Sequence, residues 1–144
     1  MAYEDTEVPV ARSQQKLREL LLQNGATGIA IVSQPPQEGF QAMVKIDGAV
    51  YTIRISAVCK SKAAQSAIEQ EERRVWRVLF HHLKGIFVAS QSGVLEFKEM
   101  VMPYIVTKDG RTIAEILLPQ LDKAVQTNPA RLLSMGAASS ESCP

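Results

Sequence analysis

The 144-residue chain predicts an α+β fold: a small antiparallel sheet of about three strands, packed by one long helix and followed by a helical C-terminal part. Three observations carry this expectation. Two alternating apolar runs, 40–46 and 49–57, flank Asp47-Gly48, a dipeptide that favours the tight turn of a hairpin. The stretch 63–90 repeats its apolar residues at helical spacing without an internal proline. A leucine-rich segment, 13–24, has the same period near the N-terminus.

The elements follow in order. Ser13 has the chemistry of an N-cap, and Leu17, Leu20, Leu21 and Leu22 give the first helix an apolar side. Asn24-Gly25 stops it, since glycine accepts the left-handed conformation without a Cβ clash. A strand is expected over 27–33, then a loop over 34–39 containing Pro35-Pro36. With a two-residue turn at Asp47-Gly48, Ile46 faces Ala49, Val44 faces Tyr51, Ala42 faces Ile53 and Phe40 faces Ile55. All eight share one apolar face, while Lys45–Val50, Met43–Thr52 and Gln41–Arg54 form a mixed opposite face.

The long helix, ended near Gly93, gathers Ile68, Val75, Trp76, Leu79, Phe80, Leu83, Ile86 and Phe87 in one broad arc. A shorter helix is expected over 95–102, before the restriction imposed by Pro103. A small hairpin around Asp109-Gly110 follows, and Thr112-x-x-Glu115 reads as a capping box opening a further helix that Pro119 interrupts. The organisation is then a flexible arm at 1–8, a single domain at 9–127 and a disordered tail at 128–144.

Composition narrows the functional classes. Lys and Arg number 16 against 15 Asp and Glu, a net charge of +1, which excludes a strongly basic nucleic-acid sponge and an acidic tail protein. The local distribution says more. Residues 1–7 hold three acids and no base, 8–62 hold seven bases and three acids, and 63–144 hold nine of each. Cys59 and Cys143 do not make a disulfide framework or a metal knuckle. No apolar run is long enough to span a membrane, and the N-terminus lacks the pattern of a signal peptide, so a cytoplasmic setting is expected.

Catalytic and cofactor motifs are absent: no phosphate-binding glycine loop, no dinucleotide fingerprint, no metalloprotease or nucleophile-elbow pattern. No cofactor, no metal and no enzymatic activity are therefore expected. His81 and His82 are adjacent and, on a helix, diverge by about 100°, so the pair reads as one exposed and one half-buried histidine. Cys59 lies near Lys60 and Lys62, which would lower a thiol pKa, yet no base is spaced to serve it. Glu72 falls angularly amid Val75, Trp76, Leu79 and Leu83: either it is a buried acid–base group, or the core does not reach that part of the helix.

The basic stripe is the best functional signal. Arg73, Arg77 and Lys84 share a helix face with Arg74 and His81 beside it, a row able to hold phosphates. The competing reading is a solvated face neutralised by Glu69 four residues before Arg73 and Glu71 three before Arg74. Lys45, Arg54, Lys60 and Lys62 extend the candidate nucleic-acid contacts from the sheet side. Trp76, Phe80 and Phe87 either close the core or form a seam with a second copy. The long helix would run about 42 Å, more than one small sheet covers, which points to a homo-oligomer.

Three stretches carry a resemblance: Glu72-Arg-Arg-Val-Trp-Arg-Val-Leu-Phe80, the run 97–106 (FKEMVMPYIV) and the run 107–120 (TKDGRTIAEILLPQ). With an opening V-P-V-x-x-S-x-x-x-L from Val8 to Leu17, residues 8–126 resemble a family of small uncharacterised proteins of bacteriophages and prophage-like elements. The resemblance supplies no catalytic residue. It implies a setting of phage DNA replication, recombination or host takeover. Together with the stripe, the expectation is non-catalytic binding of nucleic acid, foremost single-stranded DNA. The alternative is a protein-interaction module or homo-oligomeric assembly protein, with a host enzyme as a candidate target.

Overall fold

The computed structural model describes residues 6–34, 36–59 and 64–125. In chain order these form helix α1 (Val10–Gln23), strands β1 (Thr27–Gln34), β2 (Gln37–Ile46) and β3 (Ala49–Val58), the long helix α2 (Gln65–Gln91), and the short helices α3 (Phe97–Val101), α4 (Ile113–Leu117) and α5 (Leu121–Val125). The three strands make one antiparallel sheet in the order β1-β2-β3, the expected α+β arrangement. The chain divides into two compact units, Met1–Ile113 and Ala114–Pro144. Both the arm's first residues, 1–5, and the expected tail, 128–144, lie outside the described residues.

Local chemistry sets the boundaries. α1 starts earlier than residue 13. Pro9, at φ −59° and ψ 148°, is the N-cap, and its carbonyl accepts the N–H groups of Arg12 and Ser13. Ser13 is therefore no cap but a fully buried helix residue. The helix ends as expected: Ala26 N–H donates to Leu21 O and Gly25 N–H to Leu22 O, the paired bonds of a Schellman closure.

The β2–β3 register matches expectation pair for pair, from Ile46↔Ala49 to Phe40↔Ile55. Asp47 (φ 51°) and Gly48 (φ 84°) both take the left-handed conformation that a type I′ turn requires. The expected loop at 34–39 is instead largely strand: Gln34 ends β1 and pairs with Gln37, so β2 begins three residues before Phe40. Between Thr27 and Ala30, β1 slips register against β2, leaving Gly28 and Ile29 opposite Ala42 in a bulge.

One face of the sheet carries the core. Phe40, Ala42, Val44, Ile46, Ile53 and Ile55 pack with Leu17 and Leu21 of α1 and with Val75, Trp76, Leu79, Phe80, Leu83, Ile86 and Phe87 of α2. Trp76, Phe80 and Phe87 thus close the chain's own core and do not offer a seam to a second copy. The two helices run in the same direction, since Gln70 Nε2 donates to Thr6 O at 2.9 Å and Gln91 Nε2 to Asn24 Oδ1 at 2.7 Å. On the far side, residues 105–112 cover the outer edge of β3: Ile53 bridges Ile105, Val106 N–H donates to Thr52 O at 2.8 Å, and Val106 bridges Thr112. In the second unit, a turn through Pro119 separates α4 from α5, as expected.

Candidate nucleic-acid interface

The basic residues of α2 occupy three different environments. Arg73 donates to Gln70 Oε1 from Nε at 3.1 Å, rather than pairing with Glu69. Arg74 makes the expected ion pair with Glu71, Nε to Oε2 at 3.0 Å. Arg77 lies over the Phe80 ring, with its guanidinium carbon 5.4 Å from the centroid. Its Nη1 is buried without a hydrogen-bond partner. Lys84 is exposed two turns beyond.

The parallel run of α1 beside α2 brings a further cation to this place. Lys16, Glu19, Leu20 and Gln23 of α1 line a groove of ≈ 270 Å³ with Phe80 and Lys84 of α2. Next to Phe80 in sequence, His81 is half-buried and edge-on to that ring, with centroids 5.1 Å apart. Burial, and then the charges of Arg77, Lys84 and Lys16, push its pKa below the usual 6.5. The charges of cations from both helices thus act in one direction on this imidazole. Lys16 was not among the expected contacts: it sits 61 residues before Arg77, and only packing joins them.

The sheet-side cations lie elsewhere. Lys45 and Arg54 belong to the face opposite the helices, by the same register that buries Val44 and Ile53. Arg54 Nη2 reaches back to Gly110 O at 2.8 Å. They are separated from the α1–α2 groove by the thickness of the sheet. Lys60 and Lys62 lie outside the described residues.

The histidines divide as expected, His81 half-buried and His82 exposed, with His82 Nε2 3.0 Å from the Tyr104 hydroxyl. No group of three or more metal-ligating side chains occurs among the described residues. Cys59 is buried just past β3, its N–H donating to Pro36 O at 2.7 Å.

The buried carboxylate is Glu38, while Glu72 is only half-buried. Glu38 accepts the indole N–H of Trp76 at 3.2 Å through Oε2, and Oε1 has no hydrogen-bond partner. Its signal was in the sequence: Glu38 has the same parity as Phe40, Ala42, Val44 and Ile46 and so points into the core once β2 is extended to Gln37.

No helix among the described residues is long and apolar enough to cross a membrane. Comparison with family models, curated proteins and solved structures finds no match for this chain.

Proposed function

We propose that the chain is a non-catalytic nucleic-acid-binding protein that holds phosphates along the α1–α2 groove, with single-stranded DNA as its foremost ligand, in the phage-type cytoplasmic setting implied by the resemblance. The observation that carries this reading is the α1–α2 groove, which sets Lys16 of one helix beside Lys84 of the other. The wider charge pattern supports it. From Arg73 to the end of α2 there are four Lys or Arg and no carboxylate, and α1 sets Arg12, Lys16 and Arg18 against Glu19 alone.

The contacts would be to the backbone rather than the bases. Phe80, the aromatic at this place, is 8% exposed and covered by Arg77, so it offers no stacking platform. A groove of ≈ 270 Å³ admits a nucleotide-sized piece of one strand. Binding should accordingly be weakly sequence-dependent and strongly salt-dependent.

Fluorescence anisotropy of labelled single-stranded and duplex oligonucleotides, at low and high salt, tests the proposal. Salt-sensitive binding that favours the single strand, and that weakens in Lys16→Ala and Lys84→Ala, is expected. Folded protein that binds neither oligonucleotide at low salt refutes it.

A protein-interaction module is the second reading, favoured by apolar surface between α2 and α3. Val94 is 77% exposed, and His81, His82, Ile86, Leu95 and Met100 line a groove of ≈ 420 Å³ between α2 and α3. In the second unit Leu117, Leu118 and Leu121 are all exposed.

A further inference from the structure

The two edges of the sheet are treated differently. Residues 105–112 cover β3, whereas β1 pairs only with β2 among the described residues. Unpaired edges in folded proteins are ordinarily blunted by lysine, an inward charge, proline or a bulge. β1 reads Thr-Gly-Ile-Ala-Ile-Val-Ser-Gln, with no charge of either sign. Its one bulge is confined to the start, leaving Ala30 to Gln34 in regular ladder with β2.

The ladder also fixes which backbone groups remain. In an antiparallel pair alternate residues exchange both hydrogen bonds with the partner. Counted from the pair Gln34↔Gln37, these are Gln34, Val32 and Ala30. The same count across β2 directs the groups of Thr52 away from β2, in agreement with its carbonyl accepting Val106 N–H. The N–H and C=O of Ile31 and Ser33 therefore point outward.

We propose that β1 pairs antiparallel with β1 of a second copy, making a continuous six-stranded sheet about a twofold axis at Ile31. Charge decides the occupant: an acidic or basic strand would find no counter-charge on β1, whereas β1 meets its own copy uncharged against uncharged. The register is self-consistent. An axis through Ile31 opposes Ile31 to its copy on the core side and Ala30 to Val32 on the open side, and Val32 is 43% exposed in the single chain. Parity then keeps the helical layers of both copies on one side of the joined sheet. The inference does not depend on the nucleic-acid reading, because neither Lys16 nor Lys84 lies on β1.

Sedimentation of the full chain over a range of concentrations tests the pairing. A dimer is expected whose dissociation constant rises by about tenfold or more in Val32→Lys, which brings charge to the edge. Ser33→Pro should do the same by removing an outward N–H, at a place where an edge strand tolerates proline. Far-UV circular dichroism confirms that each variant is folded. Should either variant unfold, the register is read independently from Ile31→Cys in a background with Cys59 and Cys143 replaced by Ala. Oxidation should then yield a covalent dimer, while Val50→Cys in the same background should not. A folded wild-type chain that stays monomeric, a dimer indifferent to both edge variants, or no cross-link at Ile31 overturns the proposal; the first outcome would assign the edge to a foreign strand.

Discussion

Glu38 and Trp76 are the residue pair on which the core's polar accounting turns. A buried indole N–H and a buried carboxylate satisfy each other across β2 and α2, while the second carboxylate oxygen has no partner. Glu38→Ala would leave the N–H unpaired and open space beside it, at a cost of about 1–3 kcal/mol. Trp76→Phe loses the donor and strands the carboxylate, so it should cost at least as much. If the hydrogen bond couples the two, the double variant should be less destabilised than the sum of the singles in urea unfolding; strict additivity would show that the contact contributes nothing.

His81 belongs to the same scale. Its folded pKa lies below 6.5, so between the folded value and the unfolded one the unfolded chain binds more protons. Stability from this group is therefore intact above about pH 6.5 and falls as the pH drops through that window. His81→Asn should flatten the acid side of the stability profile. A wild-type slope that the variant leaves unchanged would remove His81 as its source. Bound polyanion would offset the neighbouring cations and raise the pKa, so binding should take up protons and tighten as the pH falls.

Two glycines show how differently one substitution acts on the elements that contain it. A Cβ at Gly39 of β2 would lie 2.9 Å from Ser56 Cα and closer still to Ile55 O, both backbone atoms of β3 that cannot swing aside. Gly39→Ala should cost about 1–3 kcal/mol by overpacking. At Gly85, inside α2, a Cβ meets nothing within 4 Å, and alanine should stabilise the helix by about 0.5–1 kcal/mol. Thermal unfolding of both variants checks the signs, and a Gly39→Ala chain as stable as wild type would contradict the close strand approach.

What was legible in the sequence at this scale follows from how far each signal reaches. The β2–β3 register was readable because a two-residue turn and a period of two leave one solution. The apolar arc of α2 was readable because its period persists for about five turns. The beginning of α1 was not, since Ser13 has cap chemistry but Pro9 already supplies the carbonyl and backbone angle for the first turn. Nor was the beginning of β2. Pro35-Pro36 predicts a loop, yet Pro36 stands immediately before β2, where no ladder donor is needed, and its O serves as acceptor for Cys59. That misplaced boundary concealed Glu38. The α1–α2 groove was half legible: spacing on one helix finds Lys84, but Lys16 joins it only through the packing of two elements distant in sequence.

At the scale of the molecule, the helical layer and the open sheet face offer two separate basic surfaces, so the ligand must choose between them. Lys16 and Lys84 line one groove and can engage successive phosphates, whereas Lys45 and Arg54 are on the other side and Arg54 is tied to Gly110. If the groove holds the strand, Lys16→Ala and Lys84→Ala should each weaken oligonucleotide binding and lower the slope of log affinity against log salt by about 0.7 for a single strand. Lys45→Ala should change neither. The slope separates a lost phosphate contact from a lost fold, since partial unfolding lowers the amount of competent protein without changing how its affinity depends on salt. Binding that follows Lys45 and ignores Lys16 and Lys84 would move the interface to the open sheet face.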